Sequence, residues 1–151
     1  NLHREDGPAI EWGNGDKSWY INGQLHREDG PAVEYSNGYK AWYINGKWHR
    51  EGGPAIESSN GDKYWYRNDE LHREDGSAVE TINGTKRWYL NGKRHREDGP
   101  AIEDSDGSKE WYLNGEELSE EEYNSRNKVE LTLEEISSKF NIPLENLRIK
   151  K

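Results

Sequence analysis

The sequence predicts an all-β fold, an elongated antiparallel β-hairpin repeat array that ends in a small α-helical C-terminal segment. Three observations carry that expectation: a strict 23-residue period, two turn signals in every period, and large aromatic rings at one fixed interval. A period of this length with hairpin punctuation is the signature of a stacked-repeat architecture, in which each copy buries its apolar surface against its neighbours.

The period comes first. The stretch Leu-His-Arg-Glu-Asp-Gly-Pro-Ala begins at Leu2, and its histidine returns at His3, His26, His49, His72 and His95, which are all five histidines of the chain. Trp19, Trp42, Trp65, Trp88 and Trp111 keep the same step, each followed by Tyr20, Tyr43, Tyr66, Tyr89 or Tyr112. Ala9, Ala32, Ala55, Ala78 and Ala101 form a further series, each followed by Ile or Val and then Glu.

The turns come next. The second copy carries Asn37-Gly38 and Asn45-Gly46, and the other copies carry the same pairs, with Asp69 replacing Gly and Asp106 replacing Asn. Asn-Gly between β-forming stretches signals a two-residue type I′ turn, because both central residues need positive φ. Read this way, Asn37-Gly38 pairs Val33 with Trp42 and Ala32 with Tyr43. One face would then carry Val33 and Trp42, and the other Ala32, Glu34 and Tyr43. The Trp and Ile/Val face is expected to supply most of the burial. Asp29-Gly30-Pro31 reads as a bend, since Pro fixes φ and lacks a donor.

Composition bounds the function. Only 30% of the 151 residues are hydrophobic and 34% are charged, with a mean hydropathy of -1.32. Such values usually accompany disorder, but seven Trp and nine Tyr at regular spacing fit a thin fold that buries rings between neighbours. The net charge of -9 opposes bulk nucleic-acid binding. Cysteine is absent, so disulfides and thiolate metal sites are excluded. No apolar run approaches the roughly 20 residues of a transmembrane segment, and no secretory signal is visible. A cytoplasmic location is expected. The chain opens inside a copy without Met, so a trimmed or partial chain is expected.

The stretch Trp42-Tyr43-Ile44-Asn45-Gly46-Lys47-Trp48-His49 followed by Gly53, and its counterpart from Trp88 to His95, resembles MORN repeats. In those repeats a His-Gly pair follows the Asn-Gly-Lys turn. Here Arg, Glu and Asp separate His from Gly, so the copies are a divergent MORN-like variant. The resemblance covers residues 2 to about 115 and is similar to repeat proteins of phages and large DNA viruses that carry the His-Arg-Glu-Asp-Gly-Pro-Ala signature. It implies a scaffold for protein contacts (in host cytoplasm if the protein is viral), with phospholipid binding proposed for some members. It implies no catalytic residues.

Candidate chemistry follows from the repeated polar residues. Metal binding by the His series is disfavoured, because equivalent positions two strands apart lie roughly 10 Å apart and each His is followed by a cationic Arg. No cofactor is expected. The series Arg4, Arg27, Arg50, Arg73 and Arg96 could bind phosphate as a row of forks. That would make the chain a binding protein for a small phosphorylated ligand such as a nucleotide. The competing reading is a ladder of Arg-carboxylate pairs and His hydrogen bonds between copies. Nucleophilic catalysis has no repeated Ser or Cys to use, and the departures Gly52, Asp69 and Ser77 add no reactive group. The chain is therefore read as non-catalytic. The Trp series reads as structure, while Tyr20, Tyr43, Tyr66, Tyr89 and Tyr112 are candidates for binding a protein partner.

The repeats are assigned to residues 1–115 and a helical capping segment to 116–151. Ser119 before Glu120, Glu121 and Glu122 reads as an N-cap and first turn. Thr132 with Glu135 reads as a capping box, and Leu133, Ile136 and Phe140 recur at helical spacing up to a stop at Asn141-Ile142-Pro143. The tail resembles a short helix-turn-helix or LysM-type unit, and docking onto the array or a partner is its expected role.

Overall fold

The computed structural model describes residues 3–4, 6–127 and 133–146. Its centre is an 11-stranded antiparallel sheet in which each copy contributes one hairpin and pairs with the next copy in chain order. In the second copy Val33–Glu34 pairs with Lys40–Ala41, and Lys40–Ala41 then pairs with Ile56–Glu57 of the third. The second hairpin of that copy is Tyr43–Ile44 against Lys47–Trp48, a two-stranded ribbon. The linking Trp is stitched on both sides: Trp42 N–H donates to the Ala55 carbonyl of the next copy at 2.8 Å, and the Trp42 carbonyl accepts from His49 at 3.1 Å. In the fifth copy the two hairpins fuse, as Lys109–Leu113 runs unbroken into pairing with Glu116–Leu118. The all-β repeat array is thus the observed fold.

The turns divide into two chemistries. At Asn45-Gly46 both residues have positive φ, 50° and 76°, which is the type I′ geometry expected from the sequence. At Asn37-Gly38 only the glycine is left-handed, at 92°. Tyr35 N–H donates to the Tyr39 carbonyl and Gly38 N–H to the Tyr35 carbonyl, both at 2.9 Å. The loop is therefore three residues, Ser36-Asn37-Gly38, closed by a glycine bulge. Asn37 serves through its side chain instead, its Oδ1 accepting the Tyr39 N–H at 2.9 Å. An Asp does this equally well, and Asp106 accepts the Ser108 N–H at 2.8 Å.

That extra loop residue overturns the expected register. Val33 pairs with Ala41, not Trp42. Because side chains alternate faces with a period of two, a one-residue shift exchanges the partners of every position. One face carries the cross-strand row Val33, Ala41, Ile56, Tyr64, Val79, Arg87 and Ile102. By alternation the Tyr43 series lies on this face too. The opposite face carries an uninterrupted row of Glu11, Lys17, Glu34, Lys40, Glu57, Lys63, Glu80, Lys86, Glu103 and Lys109, alternating in charge. The Trp series sits with that charged row rather than with Val and Ile.

Burial is spread thinly. Ala32, Ala41, Ala55, Ala78 and Ala101 are fully buried, yet no large side chain among the described residues is. In the last copies Ala101, Ile102 and Tyr112 form a buried cluster with Trp88 packed against it.

The C-terminal end differs from expectation in one part. Glu116–Leu118 is a strand, because Asn114 and Gly115 adopt the type I′ turn (φ 53° and 87°) and send the chain back along its partner. Helix α1 (Glu120–Asn127) follows, with the Ser119 backbone N–H donating to the Glu122 carboxylate at 2.9 Å and the Ser119 hydroxyl oxygen accepting the Glu122 N–H at 3.2 Å, a closed capping box. The Tyr123 hydroxyl accepts the Gly99 N–H at 2.8 Å, and Arg126 holds Glu116 through its two terminal guanidinium nitrogens. Helix α1 therefore docks on the last copy. Helix α2 (Leu133–Phe140) ends at Asn141, whose φ is 52°, as Asn141-Ile142-Pro143 suggested. Phe140 is exposed. The expected Thr132–Glu135 capping box lies outside the described residues. No helix among the described residues is long and apolar enough to cross a membrane.

Candidate functional site

The recurring His-Arg-Glu-Asp-Gly-Pro motif resolves into one repeated construction. Arg27 lies over the Trp19 ring with its Cζ 4.1 Å from the centroid, a cation–π contact. Its Nε donates to Asp29 at 2.8 Å, and one terminal nitrogen reaches Glu34 at 3.1 Å and the Pro31 carbonyl at 3.2 Å. The other side of the guanidinium presses on Gly30, where a Cβ would meet Arg27 Cζ at 2.8 Å. Arg73 and Arg96 repeat every contact, with Ser77 replacing Pro in the former. Arg50 keeps its Glu57 and Pro54 partners over Trp42 but has Gly52 where the others have Asp. Arg4 donates to the Pro8 carbonyl. The adjacent guanidinium holds Asp29, Asp75 and Asp98 below the usual carboxylate range. From Arg27 to Arg96, each member of the candidate anion-binding series thus carries a carboxylate of its own copy.

The histidines link successive type I′ turns. His26 Nδ1 accepts the Asn45 N–H at 3.1 Å, His72 accepts that of Asn91 at 3.1 Å, and His95 that of Asn114 at 3.0 Å. Each of these rings, which follows the type I′ turn of the preceding copy, therefore caps the type I′ turn of its own copy. The Nε2 side faces a Glu two residues on, at 3.3 to 3.7 Å.

Of the candidate partner-binding tyrosines, Tyr20, Tyr43, Tyr66 and Tyr89 are half-buried, whereas Tyr112 is only 7% exposed. Tyr112 spends its hydroxyl on Glu110 and Arg94. In the second and third copies this face becomes continuously aromatic. Trp48 packs between Tyr43 and Tyr66, with centroids 5.8 and 5.2 Å away. Tyr39 stacks on Tyr35 at 5.2 Å, and Tyr35 is 43% exposed. Burial pushes Tyr43 up to about 12 and raises Tyr39, Tyr64 and Tyr66. Tyr35, Tyr39, Trp48 and Tyr64 are not repeated, so a search for recurring residues passes over them. The readable signal was their departure from the column each occupies.

The charged face carries a groove between successive copies. One is lined by Trp42 and Ile44 at its base and by Glu28, Asp29 and Glu51 on its rims, with a volume of about 470 Å³. Equivalent grooves stand beside Trp19, Trp65 and Trp88, at about 750, 470 and 640 Å³.

Fold and faces together define a hairpin-repeat array with one aromatic and one grooved, charged surface. No known family model matches the chain, and no curated protein does either.

Proposed function

We propose that this chain is a non-catalytic, MORN-like repeat scaffold that holds a protein partner on its tyrosine-bearing face. The carrying observation is where the repeats stop being identical. Tyr35, Tyr39, Trp48 and Tyr64 break their columns on the face that already bears Tyr43 and Tyr66, and they join them into one aromatic surface. Other copies fill these columns with residues as different as Ser18, Leu25, Asp62 and Arg87, with Trp12 the one other ring, so the fold itself does not demand a ring there. Large rings with an exposed edge are the residues that dominate protein interfaces.

Affinity capture from a native extract tests this, with bound proteins and released small molecules analysed from the same sample. The unmodified array should retain one stoichiometric protein, and an array carrying Tyr35→Ser and Tyr66→Ser should lose it while staying folded by circular dichroism. Retention by the folded variant would remove the tyrosine face from the account. An enriched phosphorylated metabolite without protein would overturn the scaffold reading.

A further inference from the structure

We infer that the opposite, grooved face binds an extended basic segment of a protein, seating one Arg or Lys side chain in each groove. This is a second surface, and only the groove of the third copy also touches a residue of the tyrosine face, Tyr66.

The chain supplies its own evidence for the occupant. At the groove base the columns read Ile21, Ile44, Arg67 and Leu90. In the third copy Arg67 stands where the others are aliphatic, and its guanidinium lies 3.6 Å from the rim carboxylate of Glu74. That one groove is already fitted with a cation whose head lies at the rim. The same groove has also lost a rim acid, since Gly52 stands where the other copies have Asp. Its lining balances three carboxylates against three guanidinium groups. In the other three grooves carboxylates outnumber guanidinium groups, three to one, three to two and four to two. Those guanidinium groups are further engaged by Glu34, Glu57, Glu80 and Glu103. Gly52 removes an acid from the groove beside Trp42 as well, yet that groove keeps three carboxylates to two guanidinium groups, and the groove that holds Arg67 is the one of the four without an acid surplus. Three grooves are thus complementary to an external cation beside an aliphatic base residue, the Trp ring of each being covered already by an Arg of the next copy.

Spacing selects the form of the partner. Successive grooves are two strands apart, about 10 Å, and a polyproline II segment rises about 3.1 Å per residue with three residues per turn, so cations at every third residue fall on one side about 9 Å apart and match the array. Each exposed pair is weak alone, and affinity comes from engaging several grooves at once.

The test titrates the intact chain at low salt with a peptide of four Arg-Gly-Ser repeats, and with an isomer whose four Arg are contiguous, following tryptophan fluorescence. The phased peptide should bind about tenfold more tightly than the isomer. The double variant Ile44→Arg and Leu90→Arg copies the arrangement of Arg67 and should lose about tenfold in affinity. The double variant Ser36→Arg and Ile82→Arg adds the same charge at exposed loop tips and should lose far less. Equal affinity for the two peptides, or equal losses in the two variants, would reduce the effect to net charge and overturn the inference. Should the first variant unfold, Glu28→Gln with Glu51→Gln and Glu97→Gln on the exposed rims replaces it, and unchanged binding there is equally decisive against the inference.

Discussion

At the scale of single residues, the repeated motif is explained by what surrounds one guanidinium. Trp19 lies on one side of Arg27 and Gly30 on the other, with Asp29 and Glu34 at its nitrogens. The glycine is required by space, not by backbone conformation. Gly30→Ala should therefore cost about 1–3 kcal/mol, because the added methyl displaces a side chain pinned from several directions. Gly13→Ala, where nothing lies within 4 Å of the new Cβ, should stay within about 0.5 kcal/mol. Urea denaturation of the two variants checks the contrast. Equal midpoints would remove the guanidinium packing as the reason for the glycine. His, Arg, Asp and Gly were legible in sequence as a recurring set. Their mutual geometry was not, since the Trp partner lies in the preceding hairpin.

At the scale of the hairpin, turn chemistry sets which strand residues meet. The third copy is informative because Asp69 takes the left-handed position that glycine holds elsewhere, at φ 71°. Its carboxylate accepts the Trp48 N–H at 2.8 Å, which offsets the conformational strain. Asp69→Ala keeps the strain and loses the bond, so it should cost about 1–2 kcal/mol. Asp69→Gly loses both and should stay within about 0.5 kcal/mol of the parent. Thermal melting of the two variants distinguishes them, and a more stable Ala variant would contradict the balance. Sequence reading identified every one of these turns but assigned the first of each copy to the wrong class. Asn-Gly serves both a two-residue type I′ turn and a three-residue loop with a glycine bulge. The difference lies in whether Asn uses its backbone or its side chain.

At the scale of the whole molecule, the array is held by many small polar links on a thin apolar layer, so its stability should respond to pH at both extremes. The Arg27, Arg73 and Arg96 guanidinium groups lower Asp29, Asp75 and Asp98. Backbone N–H groups of Ser36 and Ile82 lower Asp16 and Asp62, tying the loop of one copy to that of the next. For carboxylates held low in the folded state, the contribution is complete above the unfolded value of 3.8 and is lost as pH falls through the folded values. Tyrosines carry the opposite sign. Tyr43 is raised from 10.0 to about 12 by burial, so its contribution is complete below pH 10 and lost as pH climbs towards 12. A melting-temperature profile should therefore be flat between about pH 5 and 9 and fall on both sides. A midpoint that rises below pH 4 would count against the carboxylate ladder.

The amino-acid sequence by itself determined the period, the succession of two hairpins per copy, the second-turn geometry and the Ser119 cap. All of these depend on chemistry within a few residues of each other. The tertiary structure decided which residues share a face, because one additional loop residue exchanges the two faces of every strand. It also decided that Gly52 and Arg67 belong to one groove and that Tyr43, Trp48 and Tyr66 form one surface. Those relations cross from hairpin to hairpin, and only strand pairing in space brings such residues together.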